Sequence, residues 1–122
     1  MIIKGYERKF ELNVQSMLEI AAFCPGGAWE NFPQLFGEGS AKSTENDIKI
    51  AIAMNRGYED HMADSKPDYE PKYLTEADFR FLKPQDILQL EQELIQALNQ
   101  GQEQEVAAEE IPSGKNANGA KE

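Results

Sequence analysis

The chain has 122 residues, 40% of them hydrophobic and 28% charged, which suits one modest domain. Its 22 acidic and 12 basic side chains leave a formal net charge of −10. That balance argues against a general nucleic-acid binder or a protein that docks on an anionic membrane surface, because both need a basic face. The longest apolar runs are too short to span a bilayer. The opening Met1-Ile2-Ile3-Lys4-Gly5 has no secretory apolar region, so a cytosolic home is expected. A single cysteine, Cys24, rules out an internal disulfide framework and a cysteine-based zinc site.

From the N-terminus, Ile2 and Ile3 precede Lys4-Gly5, and Tyr6, Arg8, Phe10, Leu12 and Val14 alternate with Glu7, Lys9, Glu11 and Asn13. Period two predicts a short β-hairpin with one mostly apolar face. An isolated hairpin is marginal in water, so it must pack on helices or pair through an edge. The period then changes. Val14, Met17, Leu18 and Ala21, with Ile20 and Phe23 beside them, predict an amphipathic helix capped by Asn13 and stopped by Pro25-Gly26-Gly27. Trp29, Phe32 and Phe36 recur at helical steps in a short segment that Pro33 would kink. Residues 37–43 read as a Gly- and Ser-rich loop.

A second helix is expected from Ser43 or Thr44, with Thr44 and Asp47 as a capping pair, to about Tyr58 or Met62. Ile48, Ala51, Ile52 and Ala53 form its stripe, with Ile50 and Met54 adjoining. The segment 64–72 carries Pro67 and Pro71 and reads as a connector. Thr75-Glu76-Ala77-Asp78 has a helix-start pattern for a short helix to Leu82. Pro84 suits the first turn of a last helix with Ile87, Leu90, Leu94 and Leu98 on its stripe. Leu88 and Ile95 widen that stripe, and Asn99-Gln100-Gly101 supplies a stop. Residues 102–122 hold no aromatic side chain and many acids, so they read as a disordered polar tail. The expected fold class is mainly α: a small helical domain over 1–101 with a short N-terminal β-hairpin, followed by the acidic tail over 102–122.

Motifs for catalysis are nearly absent. The stretch ending in Lys42-Ser43 lacks the glycines of a phosphate loop, with Ala41 and Phe36 where glycine is needed. Asp60, His61, Asp64 and Asp68 have metal-ligand chemistry, but a solvated acidic connector explains them with less. His61 has no evident partner for general-base work, and Cys24 reads as a small apolar residue. No catalytic residue, metal or cofactor is therefore expected. The aromatics carry more information. Trp29, Phe32, Phe36, Phe79 and Phe81 are the candidate contact residues for a hydrophobic partner, against the plainer reading that most fill a core. Phe79 and Phe81, two positions apart, cannot both face one core from a helix.

The run Ile3-Lys4-Gly5-Tyr6-Glu7-Arg8-Lys9-Phe10-Glu11-Leu12-Asn13 resembles the opening of tail assembly chaperones of long-tailed (siphovirus-type) bacteriophages. The helix after it, the segment Leu74-Thr75-Glu76-Ala77-Asp78-Phe79, the following helix and the acidic tail resemble that family's later parts. Residues 29–36 and the Pro-rich connector depart from its pattern. The resemblance implies a non-enzymatic chaperone in the host bacterial cytoplasm, absent from the mature virion. Such a chaperone binds and solubilises the hydrophobic tape measure protein and helps recruit tail tube protein, and many members self-associate. It also implies a longer frameshifted form, for which codons of Ser113-Gly114-Lys115 or Ala120-Lys121 can supply a slippery run. The rival reading is a small acidic regulator that inhibits a host protein by mimicking nucleic-acid charge, although the acids are spread along the chain rather than gathered. A third, a minor enzyme subunit, would be built on the Asp60 to Asp68 cluster.

Overall fold

The computed structural model describes residues 1–36 and 40–110, and in the last helix the side chains as far as Gln102. The chain is mainly helical with an N-terminal hairpin. Strand β1 (Ile2–Ile3) pairs antiparallel with β2 (Tyr6–Glu7), in the register Ile2 to Glu7 and Ile3 to Tyr6. Lys4 and Gly5 make the turn with φ of 52° and 83°, the left-handed pair that a two-residue hairpin loop requires.

The hairpin is short, as expected: the pairing stops at Glu7, although the alternation of the sequence continues to Val14. Arg8 and Leu12 do turn inward, but Tyr6 and Val14 at the two ends of the run are exposed. The reason is where the backbone bonds go. Beyond the Arg8 N–H, which donates to the Met1 carbonyl at 2.7 Å, the segment leaves the hairpin and finds partners on a helix. Glu11 N–H donates to the Met54 carbonyl at 3.1 Å, and the Asn55 amide donates to the Lys9 carbonyl at 3.1 Å.

Helix α1 (Val14–Phe23) starts at the expected cap. Asn13 Oδ1 accepts from Ser16 N at 3.0 Å, and Ser16 Oγ accepts from Asn13 N at 2.9 Å, a reciprocal capping box. Its buried face carries Ser16 and Ile20, with Met17 and Phe23 alongside, whereas Val14 and Leu18 face out. The helix thus uses a different stripe from the one its Val14–Leu18 spacing favours. The Ser16 side of the helix carries the box and lies against the central helix, so Val14 and Leu18 are turned away. The chain then passes through a 3₁₀ turn at Pro25–Gly27 into a 3₁₀ helix at Trp29–Leu35.

Helix α2 (Ser40–Ser65) is the central element. It begins earlier than Thr44 and ends later than Met62, so Thr44 and Asp47 lie inside it rather than at its cap. Residues 37–39 of the expected loop lie outside the described residues. Ile50, Ala51, Ala53 and Met54 are buried, and so are Asn46, Asp47, Asn55 and Glu59. Burial spread this far around a helix follows from its neighbours. Helix α1 runs antiparallel along one side, as shown by Asn13 Nδ2 donating to the Gly57 carbonyl at 3.1 Å and Lys49 Nζ lying 5.9 Å from the Phe23 ring.

The connector returns along α2 on a second side. Leu74 N–H donates to Asn55 Oδ1 at 3.0 Å, while Glu59 Oε1 accepts from Tyr69 OH at 2.7 Å and from Lys72 N at 2.9 Å. Thr75 then caps a 3₁₀ helix at Glu76–Phe79, where a longer run to Leu82 was expected. Helix α3 (Pro84–Glu110) runs parallel to α2 and buries Leu90, Leu94 and Leu98. Its stripe is narrower than expected, because Leu88 is 66% and Ile95 39% exposed.

The expected stop at Gly101 is absent, and α3 continues through it to Glu110. Residues 111–122 of the expected disordered tail lie outside the described residues. Gly101 is buried, and its backbone lies close against Leu12. A Cβ there would lie 2.7 Å from Leu12 Cβ and 3.0 Å from the Leu12 carbonyl oxygen. The glycine allows close approach between α3 and the N-terminal segment instead of ending the helix.

Two substitutions test this packing by urea unfolding. Gly101→Ala gains about 1 kcal/mol of helix propensity but overfills the Leu12 contact at a cost of roughly 1–3 kcal/mol, so a net loss is expected. A rise in stability would show that Leu12 moves aside freely. Asn55→Leu strands the Lys9 carbonyl and the buried Leu74 N–H, and a loss of about 2 kcal/mol or more is expected. A near-neutral result would mean that those segments are held by apolar contacts alone.

Candidate functional site

The aromatic residues separate into distinct environments. Trp29 and Phe32 stack with centroids 4.8 Å apart, and Phe36 meets Phe32 edge-on at 6.4 Å. The three-residue turn of the 3₁₀ helix aligns Trp29 with Phe32, Phe36 follows at the helix end, and all three are half-buried against the core. Asn46 fixes this segment by donating to the Leu35 carbonyl at 3.0 Å. Phe79 is 4% exposed and belongs to the core, so it is unavailable to a partner in this fold. Phe81, 84% exposed, is the freest ring of the described residues. The split that the two-residue spacing demanded is present, with Phe79 inside and Phe81 outside.

Between the N-terminal turns of α2 and α3 lies a cleft of about 820 Å³. Phe36, Leu82, Pro84, Ile87 and Leu88 give it apolar walls. Ala41, Ser43 and Thr44 come from α2, together with Asp47, while Glu91 comes from α3. Of the sequence candidates only Phe36 lines it, and Phe81 precedes the wall residue Leu82. Trp29 and Phe32 do not line it and lie behind Phe36, which Phe32 meets edge-on.

Asp47 is 1% exposed, and its Oδ1 has no hydrogen-bond donor among the described residues. Burial, then the hydrogen bond and the charge of Glu91, push its carboxyl up to about 8. A neighbouring acid favours the neutral form of a buried carboxyl, and here the two acids come from different helices, α2 and α3. Sequence reasoning passed over this pair. The available signal was Asp47 itself, which shares a helix face with Ile50, Ala51 and Met54 at i+3, i+4 and i+7. Leu88 was a second signal, being apolar but off the Leu90–Leu94–Leu98 seam.

Of the residues with metal-ligand chemistry near the end of α2, Asp60 and His61 have structural partners. His61 is exposed, and its Nδ1 lies 2.8 Å from Glu11 Oε2. That hydrogen bond and charge hold the imidazole's pKa above its ordinary value. Asp60 accepts from Tyr73 OH and from Gln15 Nε2, and these bonds pull its pKa down. Among the described residues, no group of three or more His, Cys, Asp or Glu side chains could hold a metal ion. Lys42, the base of the phosphate-loop-like stretch, sits on the first turns of α2 and pairs with Glu45 at 3.5 Å. Cys24 caps α1, and burial raises its thiol pKa. None of the helices of the described residues is long and apolar enough to cross a membrane.

Comparison with protein-family models, with curated proteins and with solved structures finds no match to this chain.

The Asp47 carboxyl gives a signed pH dependence. A carboxyl raised on folding adds stability that is complete below its unfolded value of 3.8 and is lost as pH climbs through about 8. His61, also raised, acts in the same direction, with its contribution present below 6.5 and lost as pH rises past its folded value. Glu7, Asp60 and Asp78 are lowered, so they favour the fold above the usual carboxylate range and act only at acid pH. The urea midpoint of the wild type should therefore fall between about pH 5 and about pH 9. Asp47→Asn, which keeps the shape and cannot ionise, should flatten that fall. Identical slopes for the two proteins would show that Asp47 is not the group responsible.

Proposed function

We propose that this chain is a non-enzymatic tail assembly chaperone of a long-tailed bacteriophage. It binds the hydrophobic tape measure protein in the host cytoplasm, keeps it soluble while tail tube protein assembles around it, and leaves before the virion is complete. The observation that supports this reading best is the apolar cleft, with Leu88 on its wall and Phe81 exposed beside Leu82, on a chain of net charge −10. Apolar surface of this kind covers a partner's apolar side chains, and the surrounding negative charge repels neighbouring complexes and limits their aggregation. The work needs no cofactor, nucleic acid or membrane. The resemblance of the Ile3–Asn13 run and of the Leu74–Phe79 segment supports the same reading.

Co-expression tests it. The tape measure chain should be recovered in the soluble fraction with the wild type, and less of it with Phe81→Ser plus Leu88→Ser. Both side chains are exposed, so the variant keeps its fold. Equal yields with wild type and variant would remove this surface from the contact. A wild type that does not raise the yield at all would overturn the chaperone reading.

A further inference from the structure

The cleft carries a chemical demand that apolar shielding alone does not meet. Among the described residues its lining holds two acids, Asp47 and Glu91, and no lysine or arginine. No salt bridge of the described residues reaches either acid. Lys42, on the same helix as Asp47, is engaged with Glu45. Asp47 is 1% exposed and still has an acceptor oxygen without a donor, within walls otherwise supplied by Phe36, Leu82, Ile87 and Leu88. A wholly apolar occupant would leave that oxygen without a donor. A small free amine would satisfy the acids and leave the apolar walls wet.

We infer that the cleft receives an apolar polypeptide segment bearing a lysine or arginine, whose cation Asp47 and Glu91 accept while its aliphatic neighbours lie on Phe36, Leu82, Ile87 and Leu88. This rests on the chaperone reading and narrows it, from any apolar stretch of the partner to stretches interrupted by a base. The charge arrangement also selects by exclusion, since an acidic residue at the same place would meet two carboxyls. The opening between two helix ends admits a side chain pointing inward from a segment lying across it.

Isothermal titration with two synthetic peptides tests the inference. One is an amphipathic helix of leucine and alanine with one central lysine, and the other carries norleucine in its place. The wild type should bind the lysine peptide about tenfold tighter, the order expected of one partly desolvated ion pair. Asp47→Asn with Glu91→Gln should bring the two peptides within about twofold of each other, and Leu88→Ser should weaken both. Equal affinities in the wild type, or a lysine preference that survives in the double variant, would overturn the inference while leaving apolar shielding intact. A wild-type dimer that Leu88→Ser makes monomeric, with neither peptide bound, would assign the cleft to a second copy of the chain and overturn it too. In each of these cases the co-expression result decides the chaperone reading separately.

Discussion

The fold depends on buried polar side chains of α2 that serve as backbone partners for segments with no secondary structure of their own. Asn55 is the clearest case. It is fully buried, its amide N–H donates to the Lys9 carbonyl, and its carbonyl accepts from Leu74 N–H. One side chain thereby holds both the N-terminal segment and the returning connector. Glu59 repeats the arrangement one turn on by accepting from Lys72 N–H, with the Tyr69 hydroxyl on the same oxygen, and Asn46 holds the end of the 3₁₀ helix by donating to the Leu35 carbonyl. A chain with so little sheet leaves many peptide groups to be buried without a ladder, and each must find a partner or cost free energy. Placing those partners on the central helix is the condition under which the irregular segments can cover the core at all.

The parallel pair α2 and α3 then differs between its two ends. Toward the far end, Leu90, Leu94 and Leu98 fill the seam, and Gly101 brings α3 against Leu12. At the N-terminal end, two facing carboxyls replace that apolar contact, and the cleft opens beside them. A leucine at position 47 would close the seam. An acid there, raised by burial and by Glu91, weakens the join at neutral and alkaline pH and leaves room beside it. Stability is given up at one place where a large apolar surface is left accessible, a pattern common where a surface is used for binding.

The net charge and the apolar surface belong to one argument. Ile2, Val14, Leu18, Phe81 and Leu88 are all more than half exposed, which on a neutral domain would favour self-association. A formal charge of −10 opposes it. The acids are also used locally: Glu11 binds His61, Glu19 binds Arg56 at 2.7 Å, and Asp78 lies 3.6 Å from Lys4. Pairs this exposed add little to stability, but they fix where the remaining uncompensated charge lies.

Local pattern alone determined much of this molecule. The Asn13 cap, the break at Pro25, the Thr75 start and the Pro84 start were legible because each depends on backbone groups within a few residues. The Leu90–Leu94–Leu98 seam was legible because a helical period needs no knowledge of the partner. Tertiary structure decided what depends on distant neighbours. Ser16 and Ile20 are inside in place of Val14 and Leu18, because α1 docks through the capping-box side of the helix. Phe79 rather than Phe81 is inside, although the spacing required only that one of them be. Gly101 has the composition of a helix end, yet Leu12, far away in sequence, makes it a contact point. The cleft was the least legible feature, since its walls come from three separate segments, and its two acids look ordinary among 22 until the fold places them face to face.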